Sequence, residues 1–114
     1  EIKAEQYTLE FANRDTWNTG LDDDARKGFQ VLKLFREHGF EGEIGIGVSD
    51  VHVNEIESPE LIRDRILYAA KALGDPTKVY VNPDCGLRTR TREVSFDKIR
   101  TMVKGAELAR KITE

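Results

Sequence analysis

Val79-Tyr80-Val81-Asn82-Pro83-Asp84-Cys85-Gly86-Leu87 is a β-branched and aromatic run that ends in Asn-Pro-Asp and delivers the only cysteine of the chain. Val and Tyr suit a pleated strand, and Pro cannot continue a hydrogen-bonded ladder. The run therefore reads as a strand, Lys78 to Asn82, that stops at Pro83 and leads to Cys85. A thiol at the carboxyl end of a strand stands where parallel α/β folds keep their chemistry.

Working outward, the sequence repeats a strand-then-helix unit. After the Cys85 strand, Phe96, Ile99, Val103, Ala106 and Ala109 recur at helical spacing, which predicts a helix from Ser95 with these residues on its buried face. Before it, Glu43-Ile44-Gly45-Ile46-Gly47-Val48 is a second strand leading into Ser49-Asp50-Val51-His52. Its helix opens with Ser58-Pro59-Glu60, an N-cap serine and a proline at the first helical position. Leu61, Ile62, Ile66, Ala69, Ala70 and Leu73 form the buried stripe, and Gly74 and Pro76 end the helix. The first unit has Tyr7-Thr8-Leu9-Glu10-Phe11 as its strand. A turn-rich stretch follows, then Asp22, Asp23 and Asp24, placed where a helix N-terminus favours negative charge. Phe29, Leu32 and Phe35 are the apolar stripe of that helix and Gly39 its stop.

Strands alternating with helices of this length imply right-handed crossovers and a parallel sheet, an α/β fold. Three parallel strands are a poor end state, because such sheets are normally covered on both faces and their outer strands carry unpaired backbone groups. An eight-stranded (β/α) barrel takes about 250 residues, and this chain has 114. Residues 1–114 are thus expected to be a single partial (β/α) barrel segment, completed by another chain, by a copy of itself or by further sequence. The chain opens on Glu1 rather than Met, a start that processing or a chosen boundary would give and that a piece of a longer protein also shows.

Bulk properties narrow the function. Charged residues make up 34% and hydrophobic ones 39%, the composition of a globular chain. No apolar run approaches the roughly 18 residues of a membrane span. A net charge of -3 argues against a nucleic-acid or membrane-surface partner. The lone cysteine excludes an internal disulfide and, with no signal-peptide pattern at Glu1 onward, suits a reducing cytoplasm.

Parallel strands put Glu10, then Asp50 and His52, then Asp84 and Cys85, at one rim. Glu, His and Cys are all competent Zn²⁺ ligands, and His is the usual proton donor or acceptor near neutral pH. Bland alternatives stand beside these. A lone cysteine after a strand is more often a small buried hydrophobe, and a lone His is more often a surface or hydrogen-bonded residue. Strand alternation alone turns Glu10 away from its apolar neighbours. His38, in a last helical turn, reads as structural. Arg88, Arg90 and Arg92 would share one side of an extended segment and hold an anion, or form a solvated loop paired with Glu93 and Asp97. Gly45 and Gly47 permit close backbone approach but make no phosphate loop.

Asn82-Pro83-Asp84-Cys85-Gly86-Leu87-Arg88-Thr89-Arg90 resembles the zinc-cysteine motif of the cobalamin-independent methionine synthase family. Residues 43–52 resemble its Glu-Ile-Gly-x-Gly-Val-x-Asp-Ile-His segment, and Thr8-Leu9-Glu10 its Ile-Glu strand. The resemblance covers nearly the whole chain, as the last three βα units of that family's C-terminal TIM (β/α)8 barrel. It implies a methyltransferase that uses Zn²⁺ to methylate the thiol of homocysteine and make methionine. Glu10 and Cys85 then fall on zinc ligands and His52 on the proton donor, with Asp50 orienting His52 or holding the substrate's ammonium. The stretch from Asn13 to Ala25 is similar to the short archaeal members, which implies a methylcorrinoid rather than methyltetrahydrofolate as methyl donor.

One departure matters. The family holds zinc with a His and a Cys from an earlier strand besides the Glu and the second Cys, and no His-x-Cys pair exists here. Glu10 and Cys85 alone make a weak metal site, so the isolated chain is expected to be inactive without the rest of the barrel. A coenzyme M-type thiol alkyltransferase of the same superfamily, and a non-catalytic subunit that completes a partner's barrel, are the alternative readings.

Overall fold

The computed structural model describes residues 6–39, 42–84 and 91–113. Strands β1 (Gln6–Glu10), β2 (Glu43–Ser49) and β3 (Val79–Pro83) form one parallel sheet in the order β1-β2-β3. Helix α1 (Leu32–Glu37) follows β1, α2 (Pro59–Leu73) follows β2, and α3 (Arg92–Thr113) follows β3. The expected alternation and the parallel sheet are both present.

Parallel pairing puts register partners on the same side of a sheet, so its two faces can be read directly. Ile44, Ile46 and Val48 of β2 are wholly buried, with Leu9, Val79 and Val81 packed beside them in one core. That core is closed by Ile62, Ile66, Ala69 and Leu73 of α2. The alternate positions form rows Thr8, Gly45, Tyr80 and Glu10, Gly47, Asn82. Thr8, Glu10 and Tyr80 in those rows are exposed. Helices therefore cover one face, and the other is open among the described residues. A closed barrel fills that inner face with side chains from all its strands.

Helix α2 has the ends its sequence predicts. Ser58 Oγ accepts the Leu61 N–H at 3.1 Å, Pro59 stands at the first position, and Gly74 ends the helix at φ +80°. The left-handed φ is costly for any residue with a Cβ. Helix α3 lies against α2 because Gly105 is buried there: a Cβ at that position would meet Ile62 Cβ at 2.5 Å.

Two expectations are corrected. The first helix is short, and its acids do not cap it. Asp22 Oδ2 instead accepts the Ala25 N–H in a turn, Asp23 pairs with Lys33 at 2.7 Å, and a 3₁₀ turn (Lys27–Phe29) precedes α1. Phe29 and Leu32 are still wholly buried, so the apolar stripe is real while the helix under it is interrupted. Helix α3 begins at Arg92, ahead of Ser95, and Phe96, Ile99 and Val103 are exposed rather than core-facing. The buried stripe runs through Lys98, Gly105 and Ala109, with Met102 and Ala106 packed against the core. Helix α3 thus carries two apolar stripes, and close approach at Gly105 selects the one that meets α2.

Candidate active site

All three strands run the same way, so Glu10, Ser49 and Pro83 end on one rim. The rim brings two of the sequence-predicted residues together: His52 Nε2 lies 3.3 Å from Glu10 Oε1. Their side chains are 55% and 47% exposed, so both remain open to a ligand. A hollow lined by Glu10, Phe11, Arg14, Lys27, Gly28 and Val31 opens beside them. Cys85, Arg88 and Arg90 lie outside the described residues. Arg92 belongs to α3 rather than to an extended segment, and Asp97 lies 3.5 Å from Arg100. His38 is the C-cap of α1, in keeping with a structural role.

Asp50 is buried, and its Oδ1 accepts the backbone N–H of His52 at 2.9 Å. It therefore shapes the loop that carries His52 rather than touching the imidazole. The same loop is fixed from below by Glu57, which the sequence reading passed over. Glu57 is wholly buried; its carboxylate accepts the Asp50 N–H at 2.7 Å and the Ser49 hydroxyl at 3.2 Å. Two buried cations balance it: Arg65 Nη1 at 3.0 Å and Lys98 Nζ at 3.3 Å. Arg65 continues to Asp15 at 3.0 Å, which Arg26 also reaches at 3.2 Å. A signal for this network was available, since Arg65 interrupts the apolar stripe of α2 between Ile62 and Ile66.

Asp84 ties the strand ends to one another. Its N–H donates to Ser49 O at 2.9 Å. Its Oδ1 accepts the N–H groups of Phe11 and Ala12 at 3.1 Å each, and its Oδ2 that of Asn13 at 2.8 Å. Burial pushes the carboxyl up to about 6, against the lowering effect of those three N–H groups.

The Glu10 carboxylate beside the His52 imidazole offers one oxygen and one nitrogen donor of the kinds zinc accepts. Among the described residues no group of three His, Cys, Asp or Glu side chains converges to hold a metal. No helix among the described residues is long and apolar enough to cross a membrane.

A parallel α/β sheet with carboxylates and an imidazole gathered at its carboxyl rim defines an enzyme-like α/β segment. Residues 21–108 match the family described as cobalamin-independent synthase, catalytic domain, and the chain belongs to that cobalamin-independent methionine synthase family, in its archaeal short form. It is 52% identical to the methionine synthase of Thermoplasma acidophilum and 46% identical to that of Thermoplasma volcanium, over 107 residues in each case. Both alignments take in 90% of this chain but 31% of the relative, so the chain spans about a third of their length. The fold also matches the structure of a B12-independent methionine synthase from Shewanella sp. W3-18-1 in complex with selenomethionine. That match has a TM-score of 0.72 at 24% identity and covers 96% of this chain and 27% of the other.

Proposed function

We propose that this chain is the last three βα units of a (β/α)8 barrel that transfers a methyl group to the thiol of homocysteine. In this reading Glu10 and Cys85 hold zinc, and the remaining His and Cys ligands come from the part of the barrel outside these residues. The observation that carries the reading is the meeting of Glu10 and His52 at 3.3 Å on the carboxyl rim of the sheet. A family of methionine synthases and the one-third coverage of its archaeal members support it.

When bound, zinc supplies the Lewis acidity that keeps a coordinated thiol deprotonated near neutral pH. The chain's own residues then have separate tasks. Glu10 offers an oxygen donor from the open face of the sheet. His52 holds or releases a proton at Nε2 close to that donor. Asp50 and Glu57 keep the His52 loop at a fixed height above the sheet through backbone hydrogen bonds, so the imidazole does not wander from the reacting atoms.

The test is to purify the protein at its natural length, measure its metal content, and assay homocysteine methylation with a methylcorrinoid and with methyltetrahydrofolate. Stoichiometric zinc and methionine formation with the corrinoid is the expected result. Methylation of coenzyme M instead of homocysteine would favour the thiol alkyltransferase reading. A metal-free protein that methylates neither thiol would reject both.

A further inference from the structure

We propose that Asp84 is a positioning residue for the rim: its carboxylate crosses over β2 at Gly47 and fastens the turn after Glu10 to the end of β3. The inference rests on the reading of Glu10 and Cys85 as zinc ligands, because Glu10 immediately precedes the fastened residues and Cys85 immediately follows Asp84.

The geometry is specific. Strand β2 lies between β1 and β3, so a side chain from the end of β3 must pass across β2 to reach β1. Asp84 does so, and it accepts three consecutive backbone N–H groups, of Phe11, Ala12 and Asn13, 71 to 73 residues away in sequence. Those groups follow the last residue of β1. Without Asp84 these buried or part-buried donors would need another acceptor.

The crossing is open only because position 47 lacks a side chain. A Cβ on Gly47 would stand 2.2 Å from Asp84 Oδ1, 2.9 Å from Asp84 Cα and 3.0 Å from Leu9 O. One row lower, a Cβ on Gly45 would stand 2.2 Å from Asn82 Nδ2. The Gly-x-Gly of β2 and the Asn-Pro-Asp of β3 therefore fit one another: the first is the gap through which the side chains of the second pass. Asp84 also donates its own N–H to Ser49 O, so one residue connects all three strand ends.

A residue that fixes the spacing of metal ligands typically changes metal affinity by about 10–100-fold when altered. The experiment uses the natural-length protein with Asp84→Asn and, independently, Gly47→Ala. Zinc affinity is read by competition with a chromophoric chelator, and amide hydrogen exchange is read over residues 9–16. Both variants should lose about tenfold or more in zinc affinity while exchanging faster at residues 11–13. In the unaltered protein those three amides should be protected like strand amides.

Faster exchange with unchanged zinc affinity would overturn the positioning role and leave Asp84 as a purely structural tie. Unprotected amides at residues 11–13 in the unaltered protein would overturn it even where a variant fails to fold. An unaltered protein that holds no zinc would instead defeat the metal reading, and the exchange measurement alone would then decide whether the tie exists.

Discussion

His52 Nε2 stands 3.3 Å from Glu10 Oε1, although 42 residues separate them in the chain. Both side chains are about half exposed, and exposed pairs of this kind add little to stability, about 0–1 kcal/mol. The pairing is better understood as a product of where two neighbouring parallel strands end. Under it lie the elements that do contribute to rigidity: Glu57 beneath the His52 loop and Asp84 beneath the Glu10 turn.

The two rim residues should separate by experiment. In the natural-length protein, Glu10→Ala should lose bound zinc, seen by elemental analysis after dialysis. His52→Asn should keep its zinc and lose turnover by about 10²–10⁴-fold, the usual worth of a positioned proton donor. Equal loss of metal in both variants would contradict this division of roles. His52→Asn should not move the unfolding midpoint appreciably, because its side chain is half exposed, whereas Glu10→Ala should lower it by the stability that bound zinc contributes.

Removal of Glu57 should be far more damaging than its distance from the open rim implies. Glu57→Ala leaves Lys98 buried without a carboxylate and Arg65 with Asp15 alone, a loss of about 3–5 kcal/mol for a broken buried pair. Urea unfolding checks the value. A loss below about 1 kcal/mol would mean that water enters the network freely.

Gly105→Ala tests the packing of α3 on α2. Alanine is the better helix former by about 1 kcal/mol, yet its Cβ would lie 2.5 Å from both Ile62 Cβ and Ile62 Cγ2. Overpacking of that kind costs about 1–3 kcal/mol, so net destabilisation is expected in thermal unfolding. A raised midpoint would show that the helices can part without cost.

The exposed stripe of α3 reports on the barrel itself. Phe96 is 63% exposed here, and a surface change of this sort normally moves stability within about 0.5 kcal/mol. If the rest of the barrel covers α3, Phe96→Ala in the natural-length protein should cost about 3 kcal/mol, as for a buried aromatic residue. A surface-like value would place this stripe in solvent and count against the barrel reading.

Local patterns in the sequence were sufficient for the three strands, for α2 with its Ser58 and Gly74 ends, and for the common rim of Glu10, Asp50, His52 and Asp84. Each of these follows from short-range rules: period-two or helical spacing, capping chemistry, and the parallel direction that βα alternation enforces. The proposal of Cys85 as a zinc ligand rests on its motif alone, since Cys85 lies outside the described residues. Tertiary structure decided the rest. Which of two apolar stripes α3 buries depends on Gly105 meeting Ile62, a contact between residues 43 positions apart. That Arg65 and Lys98 turn inward depends on Glu57 waiting for both, and that Gly47 is a gap rather than a flexible link depends on Asp84 crossing it. Such pairings are set by long-range packing, where one side chain's cost is cancelled only by a partner that no local spacing points to.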